Sequence, residues 1–245
     1  MAFATFVRRK HVVFAVILFV CLLCTLLTNS LHNAALRDFR RKSCVYSDNV
    51  DLRLIVMTYS RPLSLLKLLE SLQTLELDGH SAALEIWIDR NRQTGAADEQ
   101  SVKVASEFKW SGGQTRVHIH KAHVGIYGQW ISTWRPRNDS DDELALFLED
   151  DLSVSKYAYR WMHAVFRFYG HRTDFAGASL AGYQFKTLSA RPKRRLAGPK
   201  NHTVMMYKYF STWGFAPKPY HWRQFQVRKA FLYRGVGLYR QVVYM

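Results

Sequence analysis

Acidic residues are missing from the last part of this chain: none of its 245 residues after Asp174 is Asp or Glu. The formal net charge is +16 and the pI is near 9.9, so the C-terminal part is purely basic while the acids lie in the middle. This asymmetry excludes a carboxylate base supplied from the C-terminal part. A basic surface suits an anionic substrate, an anionic membrane face or an acidic partner, or is simply solvated. No nucleic-acid-binding motif accompanies the charge, so we expect no nucleic-acid partner.

The motifs of several common enzyme classes are also missing. Cys44 is the single cysteine outside the apolar N-terminal segment that holds Cys21 and Cys24, so the chain has no internal disulfide framework. Cys44 is therefore free or pairs with another chain. Gly125 and Gly128 do not complete a dinucleotide-binding fingerprint, because the third glycine is absent. No zinc-ligand spacing and no nucleophile elbow occurs.

One apolar stretch near the N-terminus has the length of a membrane span. Residues 12–28 contain no charged residue and follow the basic cluster 8–10. At roughly 17 residues the stretch lies at the lower limit for a transmembrane helix. A secretory signal peptide is the alternative, but the sequence that follows offers only a poor cleavage site. We predict a cytoplasmic tail over residues 1–11 and an uncleaved transmembrane anchor over residues 12–28.

The basic cluster next to the apolar stretch predicts a cytoplasmic N-terminus, hence a type II topology with a lumenal body. Two sequons, at Asn138 and Asn201, are compatible with that orientation. Residues 29–51 are polar and basic without periodicity, which predicts a stem. Residues 52–245 then form the predicted globular domain, and the chain ends within a Tyr/Val-rich segment that resembles an unfinished strand.

Strand and helix patterns alternate through this domain. Residues 52–57 are apolar and end near Pro62, which starts a leucine-rich helical pattern. Further strands are predicted at 84–88, 115–119 and 145–148, with helical patterns between them. This alternation predicts an α/β fold with a mostly parallel sheet and helices on both faces.

The most informative stretch is an apolar run that ends in three acids. Residues 145–148 form a short unbroken apolar run, typical of a strand buried on both faces, and Glu149, Asp150 and Asp151 follow directly. Ligands of open α/β sheets bind at the carboxyl ends of the strands. Hard oxygen ligands suit Mn²⁺ or Mg²⁺ bound together with substrate phosphates. The run therefore predicts a metal–phosphate site, with a solvated acidic turn as the alternative.

Two other strand ends contribute polar groups to the same predicted edge. Arg61 follows the first strand and Asp89 follows the second. Arg61 could contact a phosphate or ribose, and Asp89 could accept a hydrogen bond from a base or sugar. The alternatives are a solvated helix-entry residue for Arg61 and a cap or turn residue for Asp89.

The sequence resembles the nucleotide-sugar glycosyltransferases of the GT-A fold. The likeness rests on residues 55–62, Asp89 and residues 147–154, and more loosely on segments 179–183 and 210–215. It is nearest to the N-acetylglucosaminyltransferase I group and its O-mannose counterpart, in which Glu-Asp-Asp replaces the usual Asp-x-Asp. The resemblance implies transfer of a sugar from a UDP-sugar to a glycan or glycoprotein acceptor. A type II anchor and a basic stem also fit residents of the Golgi membrane.

The resemblance also implies roles for particular residues. Asp151 would bind Mn²⁺ (or Mg²⁺), and the metal would bridge the diphosphate of the donor. Glu149 and Asp150 would contact the sugar and ribose, while Arg61 and Asp89 would flank the uridine.

Two features depart from that family. A histidine that helps to bind the nucleotide is replaced by Gly128 and Gln129, with His120 and His123 as nearby substitutes. The downstream carboxylate base of an inverting transfer is missing, and His221 or His202 is the alternative. We therefore expect an incomplete form of the enzyme or, as the alternative, an inactive nucleotide-binding or regulatory relative.

Overall fold

The computed structural model describes residues 16–30, 33–34, 46–138, 140–180 and 211–235. The chain divides into two compact units, one formed by Met1–Ser43 and Gln224–Gln241, the other by Cys44–Arg223 and Val242–Met245. In the first unit, helix α1 spans residues 16–30. The predicted anchor thus begins at residues that lie outside the described ranges. Among the described residues, we find no helix that combines the length and the apolar character needed to span a bilayer.

The second unit is built on a six-stranded sheet in the order β3-β2-β1-β4-β6-β5. Strands β1 to β4 are parallel, and the two short strands β6 and β5 are antiparallel to their neighbours. The strands are β1 (Leu52–Thr58), β2 (Ala82–Ile88), β3 (Gln114–Ile119), β4 (Leu144–Glu149), β5 (Gly177–Ser179) and β6 (Phe215–Pro217).

Three helices connect the parallel strands β1 to β4 in the expected order, a fourth follows β4 and a fifth follows β6. They are α2 (Pro62–Gln73), α3 (Glu99–Glu107), α4 (Gly125–Ser132), α5 (Ala158–Tyr169) and α6 (Pro219–Gly235). Helix α2 begins with Pro62 in its first turn, as the sequence predicted, because proline has the helical φ and needs no hydrogen-bond partner there. Asp98 caps the start of helix α3, because its side chain accepts a hydrogen bond from the Ser101 backbone N–H.

Alternate residues of each central strand point to opposite faces, and each face carries its own core. On one face, Leu54, Ile86 and Leu146 pack with the buried leucines of α2 and with Met162 of α5. On the other face, Ile55 and Phe147 pack with Trp130 of α4, Trp134 and Trp222. Because both faces are covered, the central strands are apolar almost throughout. The predicted mostly parallel sheet with helices on both faces is confirmed.

A buried charged network interrupts the second core near the start of the strands. Arg53 of β1 is fully buried and donates to Glu85 of β2 at 2.7 Å and to Glu143 at 2.9 and 3.0 Å. Arg116 of β3 donates to the same Glu85 oxygen at 2.7 Å, and a His118 ring nitrogen lies 2.7 Å from the other oxygen. Three neighbouring strands are therefore joined by ion pairs as well as by backbone hydrogen bonds.

The last residues of the predicted stem pack against this network. The Tyr46 hydroxyl donates to the Thr133 carbonyl at 2.6 Å and accepts from the Trp87 indole at 2.9 Å. Asp48 lies 3.4 Å from the Arg53 guanidinium and also pairs with Arg116. Residues 46–51 thus belong to the packing of the sheet. The Tyr/Val-rich C-terminal segment lies outside the described residues.

Candidate functional site

The order of strands reverses direction between β1 and β4. From β1 the chain adds β2 and then β3 on one side, whereas β4 lies on the other side of β1. In open α/β sheets such a switch point leaves a crevice at the carboxyl ends of the strands, where ligands bind. The residues at the ends of β1 and β4 lie at this point, and they include Arg61 after β1 and Glu149, Asp150 and Asp151 at the end of β4.

Thr58, the last residue of β1, connects the two sides of the switch point. Its hydroxyl donates to Asp150 Oδ2 at 2.7 Å, and its carbonyl accepts from the Asp89 backbone N–H at 3.0 Å. The Gln129 side-chain amide also donates to this carbonyl, at 3.3 Å. Thr58 is almost fully buried. Direct contacts of Thr58 with Asp150 and Asp89 therefore confirm that the ends of β1, β2 and β4 lie together at one edge of the sheet.

Arg61 and the acids beyond β4 contact each other. Arg61 Nη1 lies 3.2 Å from Asp150 Oδ1 and 3.1 Å from Asp151 Oδ2, so a single nitrogen bridges two carboxylates. The Asp151 side chain is 54% exposed and the Asp150 side chain only 6%. Asp150 also accepts from the Tyr59 backbone N–H at 3.3 Å. The buried Asp150 carboxylate therefore has three donors, while Asp151 faces solvent.

The turn that carries Arg61 has an unusual backbone conformation. Ser60 has a φ of 51°, in the left-handed region that non-glycine residues rarely adopt. Arg61 follows as the residue before α2, and its side chain makes no capping hydrogen bond to that helix. Strained backbone of this kind concentrates at functional sites. Here the turn directs the Arg61 side chain toward β4 rather than along its own helix.

Glu149, the last residue of β4, is half-buried beside the aromatic core. The Trp130 indole N–H donates to Glu149 Oε1 at 3.3 Å. Burial raises the pKa of the Glu149 carboxyl, and the nearby charges of Asp151 and Asp150 raise it further, despite the opposing Trp130 hydrogen bond. The Glu149 carboxyl therefore keeps its proton to a higher pH than an ordinary glutamate does.

This raised pKa leads to a stability prediction for Glu149→Gln. The folded state binds the Glu149 proton more tightly than the unfolded state, so wild-type stability falls as pH rises through the window above the ordinary glutamate pKa. Glutamine keeps the acceptor for Trp130 without the charge. We expect the variant to gain about 0.5–1 kcal/mol at pH 7 and to lose this gain near pH 4, as measured by urea unfolding. An equal difference at both pH values would contradict the assignment.

Asp89 holds the start of helix α4. Its Oδ1 accepts from the backbone N–H groups of Arg90 at 2.8 Å and Val124 at 2.9 Å, and its Oδ2 accepts from the Gly125 N–H at 2.9 Å. A His123 ring nitrogen lies 3.1 Å from Oδ2. The carboxylate is almost fully buried. The geometry gives Asp89 the cap role that the sequence left open, while its contact with a donor stays a prediction.

Gln129 and His120 are two buried polar residues behind this cap, and the importance of Gln129 was missed from the sequence. Both side chains are buried, and the Gln129 amide donates to the Thr58 carbonyl. Burial lowers the pKa of the His120 imidazole, although the Asp89 charge and Gln129 oppose the shift. Gln129 thus supports the end of β1, where the Thr58 hydroxyl donates to Asp150. The available signal was its position where the resembled family has a nucleotide-binding histidine.

Two exposed aromatic residues beside the site were also missed from the sequence. Tyr59 directly follows Thr58 and is 40% exposed, and Tyr127 lies in the first turn of α4 and is 71% exposed. Exposed aromatic rings beside a ligand crevice are suited to stacking on a base or sugar. By contrast, a pocket of about 220 Å³ between α3 and β3 shares no residue with this cluster.

The acids at the switch point can supply one or two of the ligands of a divalent ion. In the part of the chain that the structure describes, no group of three or more potential ligands is arranged as a ready-made metal site. An ion that shares its coordination with substrate phosphates and water needs only one or two carboxylates. Asp151 is the exposed carboxylate of the set, with Asp150 as its buried neighbour. These hard oxygen donors fit Mn²⁺ or Mg²⁺ in a site that a diphosphate completes.

Comparison with known proteins leaves the chain without a family assignment. No protein-family model matches the sequence, and no curated protein matches it. The solved structures that match part of the chain include Staphylococcus aureus TarS and a mannosyltransferase. TarS 1-349 is 14% identical with a TM-score of 0.36, over 49% of this chain and 33% of that chain. TarS 1-349 has also been solved in complex with UDP-GlcNAc, with a TM-score of 0.33.

The mannosyltransferase is PcManGT from Pyrobaculum calidifontis, solved with GDP-Man and Mn²⁺. It is 8% identical with a TM-score of 0.34, over 65% of this chain and 46% of that chain. Our chain therefore spans about a third to a half of these proteins. TM-scores this low do not establish a common fold, so the function is argued below from the residues of this chain.

Proposed function

We propose that the chain is a glycosyltransferase with a GT-A-like fold that moves a sugar from a UDP-sugar to a glycan or glycoprotein acceptor. The observation that carries the proposal is the contact of Arg61 with Asp150 and Asp151 across the switch point between β1 and β4. One cation and two carboxylates meet there, at the edge where α/β sheets bind nucleotides. This set suits a diphosphate together with a divalent ion.

Each residue has a proposed part in binding the donor. The exposed Asp151 provides a metal ligand, and Arg61 pairs with a phosphate, for which a guanidinium has matching geometry. Asp150 is fixed by Thr58 and the Tyr59 N–H, so it can receive a ribose or sugar hydroxyl without moving. Glu149 holds a hydrogen bond to the sugar, and Asp89 positions α4 and Tyr127 beside the uridine.

A bound Mn²⁺ would supply Lewis-acid stabilisation of the negative charge that develops on the leaving diphosphate. The chain itself must accept the proton of the acceptor hydroxyl. Asp174 is poorly suited to this, because the bidentate hydrogen bonds from Arg172 hold its pKa below the usual range. His221 is unsuited by position: it follows β6, which runs antiparallel to β4, and its ring is influenced by Asp141, which precedes β4, so it lies at the opposite edge of the sheet from Asp150 and Asp151. His202 lies outside the described residues.

Replacing Asp151 with asparagine tests the proposal. We expect UDP release from a panel of UDP-sugars to require Mn²⁺, and we expect Asp151→Asn to lower this Mn²⁺-dependent rate by about 10–100-fold. The control is Asp78→Asn, which alters another exposed carboxylate paired with an arginine, at a position before β2. Sugar transfer that does not depend on Mn²⁺, or an equal loss of the Mn²⁺-dependent rate in both variants, would refute the proposed metal-dependent glycosyltransferase.

A non-catalytic relative is the second candidate function. It is favoured by the absence of any acid after Asp174 in the sequence and by the pairing of Asp174 with Arg172. In that case the nucleotide site persists, and the protein acts as a binding or regulatory subunit. Calorimetry that detects Mn²⁺-dependent UDP binding, without hydrolysis or transfer of any sugar in the panel, would favour this candidate.

We further propose that the protein is a Golgi resident with a single type II anchor at residues 12–28 and a lumenal body. The support is the uncharged apolar stretch that follows the basic cluster 8–10. Asn138 is exposed in a turn before β4, where an oligosaccharyltransferase could reach its sequon. Endoglycosidase digestion of the protein expressed in cells reports the orientation, and a Ser140→Ala variant assigns any glycan to Asn138.

A further inference from the structure

Arg61 occupies the space between the two carboxylates that would face a metal ion. Its Nη1 lies 3.2 Å from Asp150 Oδ1 and 3.1 Å from Asp151 Oδ2. Among the described residues, Arg61 is the only cationic side chain that pairs with either acid. A divalent ion that binds Asp151 Oδ2 competes with the guanidinium for this oxygen and is repelled by the nearby positive charge.

We propose that Arg61 is a releasable counter-ion that keeps metal off the acidic pair until a diphosphate is present. The guanidinium neutralises Asp150 and Asp151 in the ligand-free chain and moves onto a phosphate when the nucleotide binds. Asp151 Oδ2 then becomes available to the metal. This inference rests on the proposed function, since it needs a diphosphate at the same edge of the sheet.

Neither acid depends on Arg61 to remain in place. Asp150 keeps the hydrogen bonds from the Thr58 hydroxyl at 2.7 Å and the Tyr59 N–H at 3.3 Å after the arginine leaves. Asp151 is 54% exposed, so water replaces the lost contact. Breaking an ion pair is usually costly when it leaves a buried charge without a partner. The departure of Arg61 leaves no such carboxylate.

Arg61 is also free to move toward a phosphate. Its side chain is 57% exposed and makes no capping bond to α2, although it is the residue directly before that helix. A guanidinium pairs with phosphate through two parallel hydrogen bonds, whereas here one nitrogen serves both carboxylates. Moving Arg61 from the acids to a phosphate thus replaces one nitrogen shared between two carboxylates by a bidentate guanidinium–phosphate pair.

The exchange couples the binding of metal and nucleotide. Metal alone must displace Arg61 without another partner for its charge, so it binds weakly. A diphosphate removes this competition, and thermodynamic linkage requires the metal to improve diphosphate binding by the same factor. The two ligands therefore bind cooperatively, and Arg61 is the source of part of that cooperativity.

Calorimetric titration of the full chain tests this inference with Mn²⁺ alone, UDP alone and the two together. We expect Arg61→Gln to bind Mn²⁺ alone about 3–10-fold more tightly than wild type, as expected for loss of one competing charge at a partly exposed site. The factor by which UDP improves Mn²⁺ binding should fall in this variant. Arg61→Lys keeps the charge, so its affinity for Mn²⁺ alone should stay close to wild type.

The matched control is Arg160→Gln. Arg160 also bridges two carboxylates, donating to Glu76 Oε2 at 2.8 Å and to Asp78 Oδ2 at 2.9 Å, at an exposed position that shares no residue with the switch point. Its loss changes the net charge equally but should leave Mn²⁺ affinity unchanged. Thermal unfolding of each variant establishes that it is folded.

Two results would overturn the inference. One is Mn²⁺ affinity of Arg61→Gln in the absence of nucleotide that equals the wild-type value or is weaker, including no binding at millimolar Mn²⁺. The other is an equal gain in Arg61→Gln and Arg160→Gln, which would make the effect a general one of net charge. A failure of UDP to bind wild type in the presence of Mn²⁺ would instead refute the proposed function. The titration with Mn²⁺ alone tests the role of Arg61 separately from that function.

Discussion

Replacing Arg53 with methionine is expected to lower the free energy of unfolding by about 3 kcal/mol, because Glu143 loses its arginine partner and the buried Glu85 keeps only Arg116 and His118. Arg53 is fully buried and pairs with Glu85, which is also fully buried, at 2.7 Å. It also pairs with Glu143 at 2.9 Å. Methionine fills a similar volume but supplies no donor, so the loss isolates the charge. Urea unfolding at pH 7 measures the change.

Arg160→Met provides the comparison for this variant. That arginine joins two carboxylates as well, but all three groups are exposed to solvent and screened. Its removal should leave the unfolding midpoint nearly unchanged. Equal midpoints for the two variants would show that burial does not strengthen the Arg53 network.

Replacing Asp89 with alanine is expected to cost about 2–4 kcal/mol of stability, because three partly buried backbone N–H groups lose their acceptor. Arg90, Val124 and Gly125 all donate to this carboxylate at 2.8–2.9 Å. Asparagine keeps one oxygen and should lose less than alanine. Urea unfolding of both variants measures the effect independently of any ligand.

Asp98→Ala is the control for a more exposed cap. Asp98 accepts from the Ser101 N–H and hydroxyl at the start of α3, and loss of such a cap costs about 1 kcal/mol. If Asp89→Ala unfolds at the wild-type urea concentration, its hydrogen bonds are not needed for folding. A direct role for Asp89 in donor binding would then be the better explanation.

The order of elements could be predicted from local sequence alone. Pro62 and the leucines after it mark the start of α2, and unbroken apolar runs mark β1 and β4. Parallel strands place their carboxyl ends on one edge, so the meeting of Arg61 with Asp150 and Asp151 follows from topology. Each step needed only patterns within a few residues and one general rule of sheet geometry.

The partners of individual charged residues could not be predicted in this way. Arg53 and Glu85 lie in neighbouring strands, and their pairing depends on a strand register that composition does not reveal. Asp89 had two open roles, and the choice depended on where α4 begins relative to β2. Residues 46–51 looked like stem because Tyr46 and Asp48 contact groups far away in the sequence. Such contacts are set by tertiary structure.

The position of β1 in the middle of the sheet affects how the chain emerges from the ribosome. β1 needs both β2 and β4 as neighbours, and 92 residues separate Thr58 from Asp150. Until β4 is synthesised, one side of an apolar strand presents unpaired backbone groups, which is the kind of edge that promotes aggregation. The nascent chain therefore passes through a stage at which a chaperone could bind this edge.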